Sequence, residues 1–133
     1  MITILGAGGA IGNELVKELT LRNQPIRLVS RNPKARTGAV QTMAADLTQL
    51  DDAVKAVSGS SVACLLVGLK YELKSWRELW PRIMRNAIEA AKRANARLVF
   101  FDNVYMYGRV DGAMTEETTL RPCSRKVEVR EEI

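Results

Sequence analysis

Short continuous apolar runs alternate along the chain with stretches in which apolar residues recur at helical spacing. Met1 to Leu5 reads as a strand, Ile26 to Ser30 as a second, and Ala39 to Ala45 as a weaker third ending at Asp46-Leu47. Val62 to Val67 reads as a buried fourth strand ending at Gly68, and Arg97 to Phe101 as a fifth ending at Asp102-Asn103. Between them, Asn13 to Asn23 forms an amphipathic helix with Ile11, Leu15 and Leu19 on one face and Pro25 as its stop. Thr48 is positioned to cap a helix from Gln49 to about Val57 that carries Leu50, Ala53, Val54 and Val57. A longer helix follows, with Trp76, Leu79, Trp80, Ile83, Ala87, Ala90, Ala91 and Ala94 as a wide apolar stripe.

Strands that alternate with helices predict an α/β fold: a doubly wound parallel sheet of about five strands in the order 3-2-1-4-5, with helices on both faces. No internal linker, repeat or low-complexity tract divides the chain, so residues 1–133 are expected to form one Rossmann-like domain.

The connection between the first strand and the first helix is Gly6-Ala7-Gly8-Gly9-Ala10-Ile11-Gly12. Glycines at such a turn let the backbone bend tightly and approach a pyrophosphate, and the free N–H groups at the helix start face its charge. The common spacing GxGxxG fails here, because its third glycine would fall at Ile11; Gly6, Gly9 and Gly12 give GxxGxxG, with Gly8 as a further small residue. A tight turn without a ligand satisfies the same glycines. The strand, turn and helix context, however, is that of a dinucleotide site.

Other polar and glycine positions gather at the same carboxyl ends of the predicted strands, the edge at which open parallel sheets bind ligands. Ser30-Arg31 closes the second strand, with Lys34 and Arg36 behind it and no carboxylate to accept hydrogen bonds from ribose hydroxyls. That favours NADP over NAD, the alternative being a solvated basic loop. Asp46, followed by Leu47, can accept a hydrogen bond from an adenine amino group or merely end its strand. Val67 and Gly68 complete the set of candidate cofactor-binding residues Gly6, Gly8, Gly9, Ala10, Ile11, Gly12, Ser30, Arg31, Asp46 and Leu47.

The net charge of +5 raises the question of nucleic acid, but residues 70 to 97 hold eight Lys and Arg against three Glu, and the rest of the chain has twelve of each sign. The surplus therefore belongs to one helix, whose Arg77, Arg82, Arg85, Lys92 and Arg93 lie largely off its apolar stripe. With no aromatic stacking platform, this reads as a solvated face and not as a nucleic-acid surface. There is no histidine, and Cys64 and Cys123 are isolated, which leaves no pattern for a metal site or a disulfide framework. Met1 opens directly on a strand and no apolar run has the length of a membrane span, so a cytoplasmic protein without a signal peptide or membrane association is expected.

Gly6-x-x-Gly9-x-x-Gly12, Asp46-Leu47, the run Leu98 to Gly108 with its Tyr107-Gly108 pair, and the later Met114 to Thr118 and Leu120-Arg121-Pro122 together resemble a known family. The chain is similar to the N-terminal portion of the extended short-chain dehydrogenase/reductase superfamily, NAD-dependent epimerase/dehydratase family. The resemblance implies an oxidoreductase-type protein that exchanges hydride between NADP or NAD and a hydroxyl or carbonyl carbon of a small molecule, such as a sugar nucleotide. It also implies departures. Asn103 stands where a Ser or Thr usually polarises the reacting oxygen, and Lys126-x-x-x-Arg130 stands in place of Tyr-x-x-x-Lys. An amide can still polarise an oxygen, and an ammonium beside a guanidinium yields its proton more readily. Asn103 and Lys126 are thus the candidates for chemistry, with Tyr105 or Tyr107 as a substitute phenol or simply as packing beneath the loop. The family continues into a C-terminal substrate-binding region, so the chain is expected to be truncated within the active-site helix. A non-catalytic dinucleotide-binding or redox-sensing module fits the same departures. The helix from Trp76 to Ala94, the terminal helix and an uncovered sheet edge favour a homo-oligomer.

Overall fold

The computed structural model describes residues 1–34 and 40–133; Arg36 and Ala39 lie outside them. Five strands, β1 (Ile2–Leu5), β2 (Ile26–Ser30), β3 (Val40–Ala44), β4 (Val62–Leu65) and β5 (Arg97–Phe100), form one parallel sheet in the order β3-β2-β1-β4-β5. The register is even: Ile2 stands opposite Ile26 and Val62, Ile26 opposite Val40, and Val62 opposite Arg97. The helices are α1 (Ala10–Leu21), α2 (Leu50–Val57), α3 (Leu73–Ala94) and α4 (Arg125–Glu131), with a 3₁₀ turn at Tyr105–Tyr107. No described helix is long and apolar enough to cross a membrane.

The chain divides into two compact units, one of residues 1–68 and 85–101, the other of residues 69–84 and 102–133. In the first, alternation along β1 sends successive side chains to opposite faces. Ile4 joins Ile26, Leu28 and Val16, with Leu15, Leu19 and Leu66 packed against them. Thr3 and Leu5 have the opposite parity and are fully buried, as are Ala53, Ala56 and Val57 of α2; Ala87 and Ala90 of α3 are nearly so. The sheet is thus covered on both faces, as the α/β pattern requires.

Three details of the first unit depart from the sequence reading. Pro25 does not end α1. Asn23 does so, at φ 51, with Asn23 N–H donating to the Thr20 carbonyl and Gln24 N–H to the Leu19 carbonyl. This is a Schellman closure, in which asparagine tolerates the left-handed conformation. Asn95 repeats it at the end of α3, at φ 50, with Asn95 and Ala96 bonded to Lys92 and Ala91. The face of α1 that meets the core carries Gly12 and Val16 with Leu15 and Leu19 beside them; Ile11, expected to share the face of Leu15 and Leu19, sits in the first turn and is 47% exposed. Thr48 does not cap α2. It instead donates from both N and Oγ1 to Asp46 Oδ1, at 2.9 and 2.8 Å, and Gln49 occupies the cap position without a side-chain bond.

Three polar side chains of the unit are satisfied by specific partners. Arg27, the second residue of β2, donates through Nη1 to the carbonyls of Ala56 and Ser58 at 2.9 and 2.8 Å, which places a cation on the carbonyl end of α2. Thr3 and Ser60 share a buried hydroxyl hydrogen bond of 2.6 Å.

In the second unit, Trp76 and Trp80 are buried and meet edge to face, with ring centroids 6.2 Å apart. Trp76 Nε1 donates to the Lys70 carbonyl. Gly108 follows the 3₁₀ turn at φ 64, and a Cβ there would run into the Arg121 carbonyl oxygen; Arg121 N–H in turn donates to the Met106 carbonyl at 2.8 Å. The Tyr107-Gly108 pair therefore needs its glycine for backbone reasons.

A Thr3→Val chain should lose about 1–3 kcal/mol in urea denaturation, because Ser60 is left buried without its partner, and the double variant Thr3→Val/Ser60→Ala should recover most of that loss. An additive double variant would show that the two hydroxyls are not coupled.

Candidate functional site

The carboxyl edge of the first unit is shaped by how tightly the chain turns after β1. Gly6 and Ala7 both donate backbone N–H groups to the Val29 carbonyl, at 2.9 and 3.0 Å, which pins the turn to the end of β2. Gly6 has φ +91, and a Cβ built on it would stand 2.7 Å from both Cα and N of Val67. No side chain other than hydrogen fits. Gly8 also has a positive φ, +110, yet a Cβ there, or on Gly9, would meet nothing within 4 Å. The glycines thus have different reasons to be glycine: Gly6 is required by the protein's own backbone, while Gly8 and Gly9 leave open space against the chain.

That space adjoins the start of α1. Gly9 is its N-cap and carries no capping side chain, and no acidic residue lies in the first turn, so the early N–H groups of Ala10, Ile11 and Gly12 meet no competing anion from this helix. A Cβ on Gly12 would make ordinary contacts, 3.8 Å from Leu66 Cδ1 and 3.9 Å from Ala7 Cα. The third glycine of the motif is therefore not demanded by packing within the chain.

A cleft of about 250 Å³ opens beside the turn, lined by Ala7, Gly8, Asn13, Leu28, Ser30, Asn32, Pro33 and Lys34. Gly8 and Ser30 were expected from the sequence. Arg31 is exposed and is not among the described lining residues; among those the cation in the cleft wall is Lys34. Asn13 and Asn32 were missed. Asn13 lies one turn into α1, where the sequence marks it only as a helix residue, and Asn32 gives no signal beside the charged residues around it.

Asp46 is half-buried, its Oδ1 taken by Thr48 and its backbone N–H donating to Asp52 Oδ2 at 3.0 Å. It shapes the turn after β3. Leu47 is buried, and its carbonyl accepts a hydrogen bond of 2.9 Å from Asn86 Nδ2, a polar residue on the buried face of α3 that hydrophobic spacing could not reveal. Val67 is half-buried against Gly6, and Gly68 is exposed with open space at its Cβ position.

The two candidates for chemistry lie in the second unit. Asn103 is half-buried; its N–H donates to Asp102 Oδ1 at 2.7 Å and its Oδ1 accepts from Tyr105 N–H at 3.1 Å. Lys126 Nζ sits 3.2 Å from the centre of the Tyr71 ring, a cation–π contact. Arg130, one turn further on, is buried and ion-paired with Asp102 at 2.7 Å. Tyr105 is 52% exposed and does not pack beneath the loop, because the 3₁₀ turn carries it to the surface, whereas Tyr107 is half-buried. Cys64 is buried, which raises its thiol pKa, and it and the exposed Cys123 are both free thiols.

Residues 6–127 match the NAD(P)H-binding family, and the chain belongs to that family. No curated protein matches it. Among solved structures it is similar to MoeE5 in complex with UDP-glucuronic acid and NAD, at 28% identity and TM-score 0.79, over 98% of this chain and 46% of that one. It shares its fold with uronate dehydrogenase from Agrobacterium tumefaciens, at 18% identity and TM-score 0.84, over 97% of this chain and 51% of that one. It shares it too with a UDP-glucose 4-epimerase, at 17% identity and TM-score 0.82, over 98% and 44%. The chain spans about half the length of these proteins. The likeness to extended short-chain dehydrogenases read in the sequence agrees with this family and these folds.

Gly6→Ala should destabilise the first unit by about 2 kcal/mol or more in chemical denaturation, since strain at positive φ adds to a backbone clash. Gly12→Ala should stay within about 1 kcal/mol of wild type, because its new methyl meets only ordinary contacts. Equal effects at the two positions would contradict the distinct roles assigned to them.

Proposed function

We propose that this member of the NAD(P)H-binding family holds a nicotinamide dinucleotide with its pyrophosphate over the Gly6–Gly12 turn, prefers the phosphorylated form, and serves an oxidoreductase acting on a sugar nucleotide or related carbonyl or hydroxyl substrate. The observation that carries the reading is the open space at Gly8 and Gly9 against an uncapped helix start, next to a cleft lined by Asn13, Ser30, Asn32 and Lys34. Backbone N–H groups there can donate to phosphate oxygens that a side chain would otherwise displace.

Support for NADP comes from Ser30, Asn32 and Lys34 in the cleft wall, with no carboxylate among the described lining residues. An ammonium and neutral donors suit a 2′-phosphate, whereas a ribose diol is usually held by a carboxylate. Arg31 remains a candidate for the same phosphate from its exposed position, and Asp46 and Leu47 for the adenine. When bound, the nicotinamide supplies or takes a hydride; on the protein side, Asn103 donates to a substrate oxygen and Lys126 holds or yields a proton. The sugar-nucleotide class is supported by MoeE5, solved with UDP-glucuronic acid and NAD.

A second reading, a dinucleotide-binding module that performs no turnover, is favoured by Arg130. In the resembled family that position carries the lysine of Tyr-x-x-x-Lys, and here its cation is buried in an ion pair with Asp102. Self-association through α3 and the terminal helix is compatible with either reading.

Calorimetric titration should show NADPH binding more tightly than NADH, and Lys34→Ala should weaken NADPH by about tenfold while leaving NADH within about twofold. Tighter binding of NADH would overturn the preference, and binding of neither would overturn the site. Turnover of UDP-glucose or UDP-glucuronic acid with either cofactor would decide for the enzyme reading; cofactor binding without turnover across a panel of carbonyl and sugar-nucleotide substrates would decide for the module.

A further inference from the structure

Arg130 is the one buried charged residue found among the described residues of the second unit, its side chain only 4% exposed. Its guanidinium carbon lies 4.0 Å from the ring centre of Trp80 and 5.7 Å from that of Trp76, and Nη2 donates to Asp102 Oδ1 at 2.7 Å. Burial pulls the guanidinium pKa down from its ordinary value, and the Asp102 carboxylate pulls it back up. Removing a cation from water costs free energy that an apolar residue at this position would not incur, so simple anchoring of α4 does not require an arginine.

What the arginine adds is a fixed carboxylate. The oxygen of Asp102 that accepts from Arg130 also accepts the Asn103 backbone N–H at 2.7 Å, and Asn103 Oδ1 in turn accepts the Tyr105 N–H at 3.1 Å. Arg130, Asp102, Asn103 and Tyr105 are therefore joined by three consecutive hydrogen bonds. This arrangement commits the oxygen end of the Asn103 amide to the turn. Its Nδ2 donates to no described residue, so the end of the side chain that remains available carries two N–H donors. Without the linkage, an asparagine amide turns over easily and offers its oxygen instead.

We propose that Arg130 is a positioning residue: acting through Asp102, it fixes Asn103 so that the amide presents donors, and not its acceptor, to the carbonyl or hydroxyl oxygen of a substrate. The identity of that ligand rests on the proposed function above; the positioning rests on the geometry of the second unit alone. A planar, permanently charged fork can stack on Trp80 while reaching the carboxylate, which an aliphatic residue cannot do.

The test is amide NMR on the full chain, reading hydrogen exchange at the Tyr105 N–H and the two Nδ2 protons of Asn103. Arg130→Met should lower Tyr105 protection by about tenfold or more and move the Asn103 pair to the shifts of a solvated asparagine, while Arg130→Lys, which keeps a cation for Asp102, should hold protection within about threefold. The β1 and β4 amides serve as the internal reference. Unchanged Tyr105 and Asn103 signals in Arg130→Met, or equal losses in the lysine and methionine variants, would overturn the proposal. If Arg130→Met unfolds the second unit, Asp102→Leu decides: it keeps about the same size but removes the accepting oxygens, so loss at both reporters supports the linkage and retention overturns it. Titration with NADPH separates the two readings, since a wild-type chain that binds no dinucleotide defeats the proposed function while the amide reporters still judge Arg130.

Discussion

The ligand edge of the first unit depends on one close approach. β1 and β4 are neighbours in register, and the chain leaves β1 through Gly6 so near to the Val67 backbone that only a hydrogen atom fits on the α carbon. This contact and the two hydrogen bonds to the Val29 carbonyl fix the direction in which the backbone crosses the sheet edge. The direction fixes where α1 begins, and the start of α1 fixes which N–H groups face outward. A methyl group at residue 6 would disturb all three at once, although no atom of Gly6 need touch a ligand.

The strands and their order were legible because parallel strands buried on both faces are continuous apolar runs, and Ile26 to Ser30 could be read to the residue. The errors fell where local polar chemistry outranks periodicity. Pro25 looked like the stop of α1, yet the left-handed Asn23 had closed the helix already. Thr48 looked like a cap, but the neighbouring Asp46 claimed its donors. Ile11 fitted the helical stripe by spacing, though in the first turn of α1 it is left exposed. Spacing records which way a residue faces along its own helix and not how far the partner surface reaches.

The candidate site divides in the same way. A glycine turn announces itself, since few residues satisfy a positive φ against a backbone wall, and Tyr107-Gly108 was visible for a similar reason. Asn13, Asn32 and Asn86 were not visible. An asparagine has no periodic or charge signature, and its function depends on what stands opposite: a cleft for the first two, the Leu47 carbonyl for the third. Arg130 was read as a companion to Lys126, but burial beside Trp80 and Asp102 gives it a separate role.

The strand order has a consequence for how the first unit is made. β1, β2 and β3 are neighbours in both sequence and space, so they can assemble as soon as they are synthesised. β4 must then insert on the far side of β1, which leaves the Ile2–Leu5 edge unsatisfied while the seventeen residues between β3 and β4 emerge. During vectorial synthesis the central strand of the finished sheet is thus, for a time, its most vulnerable border, and the interval is set by the length of the segment that carries α2.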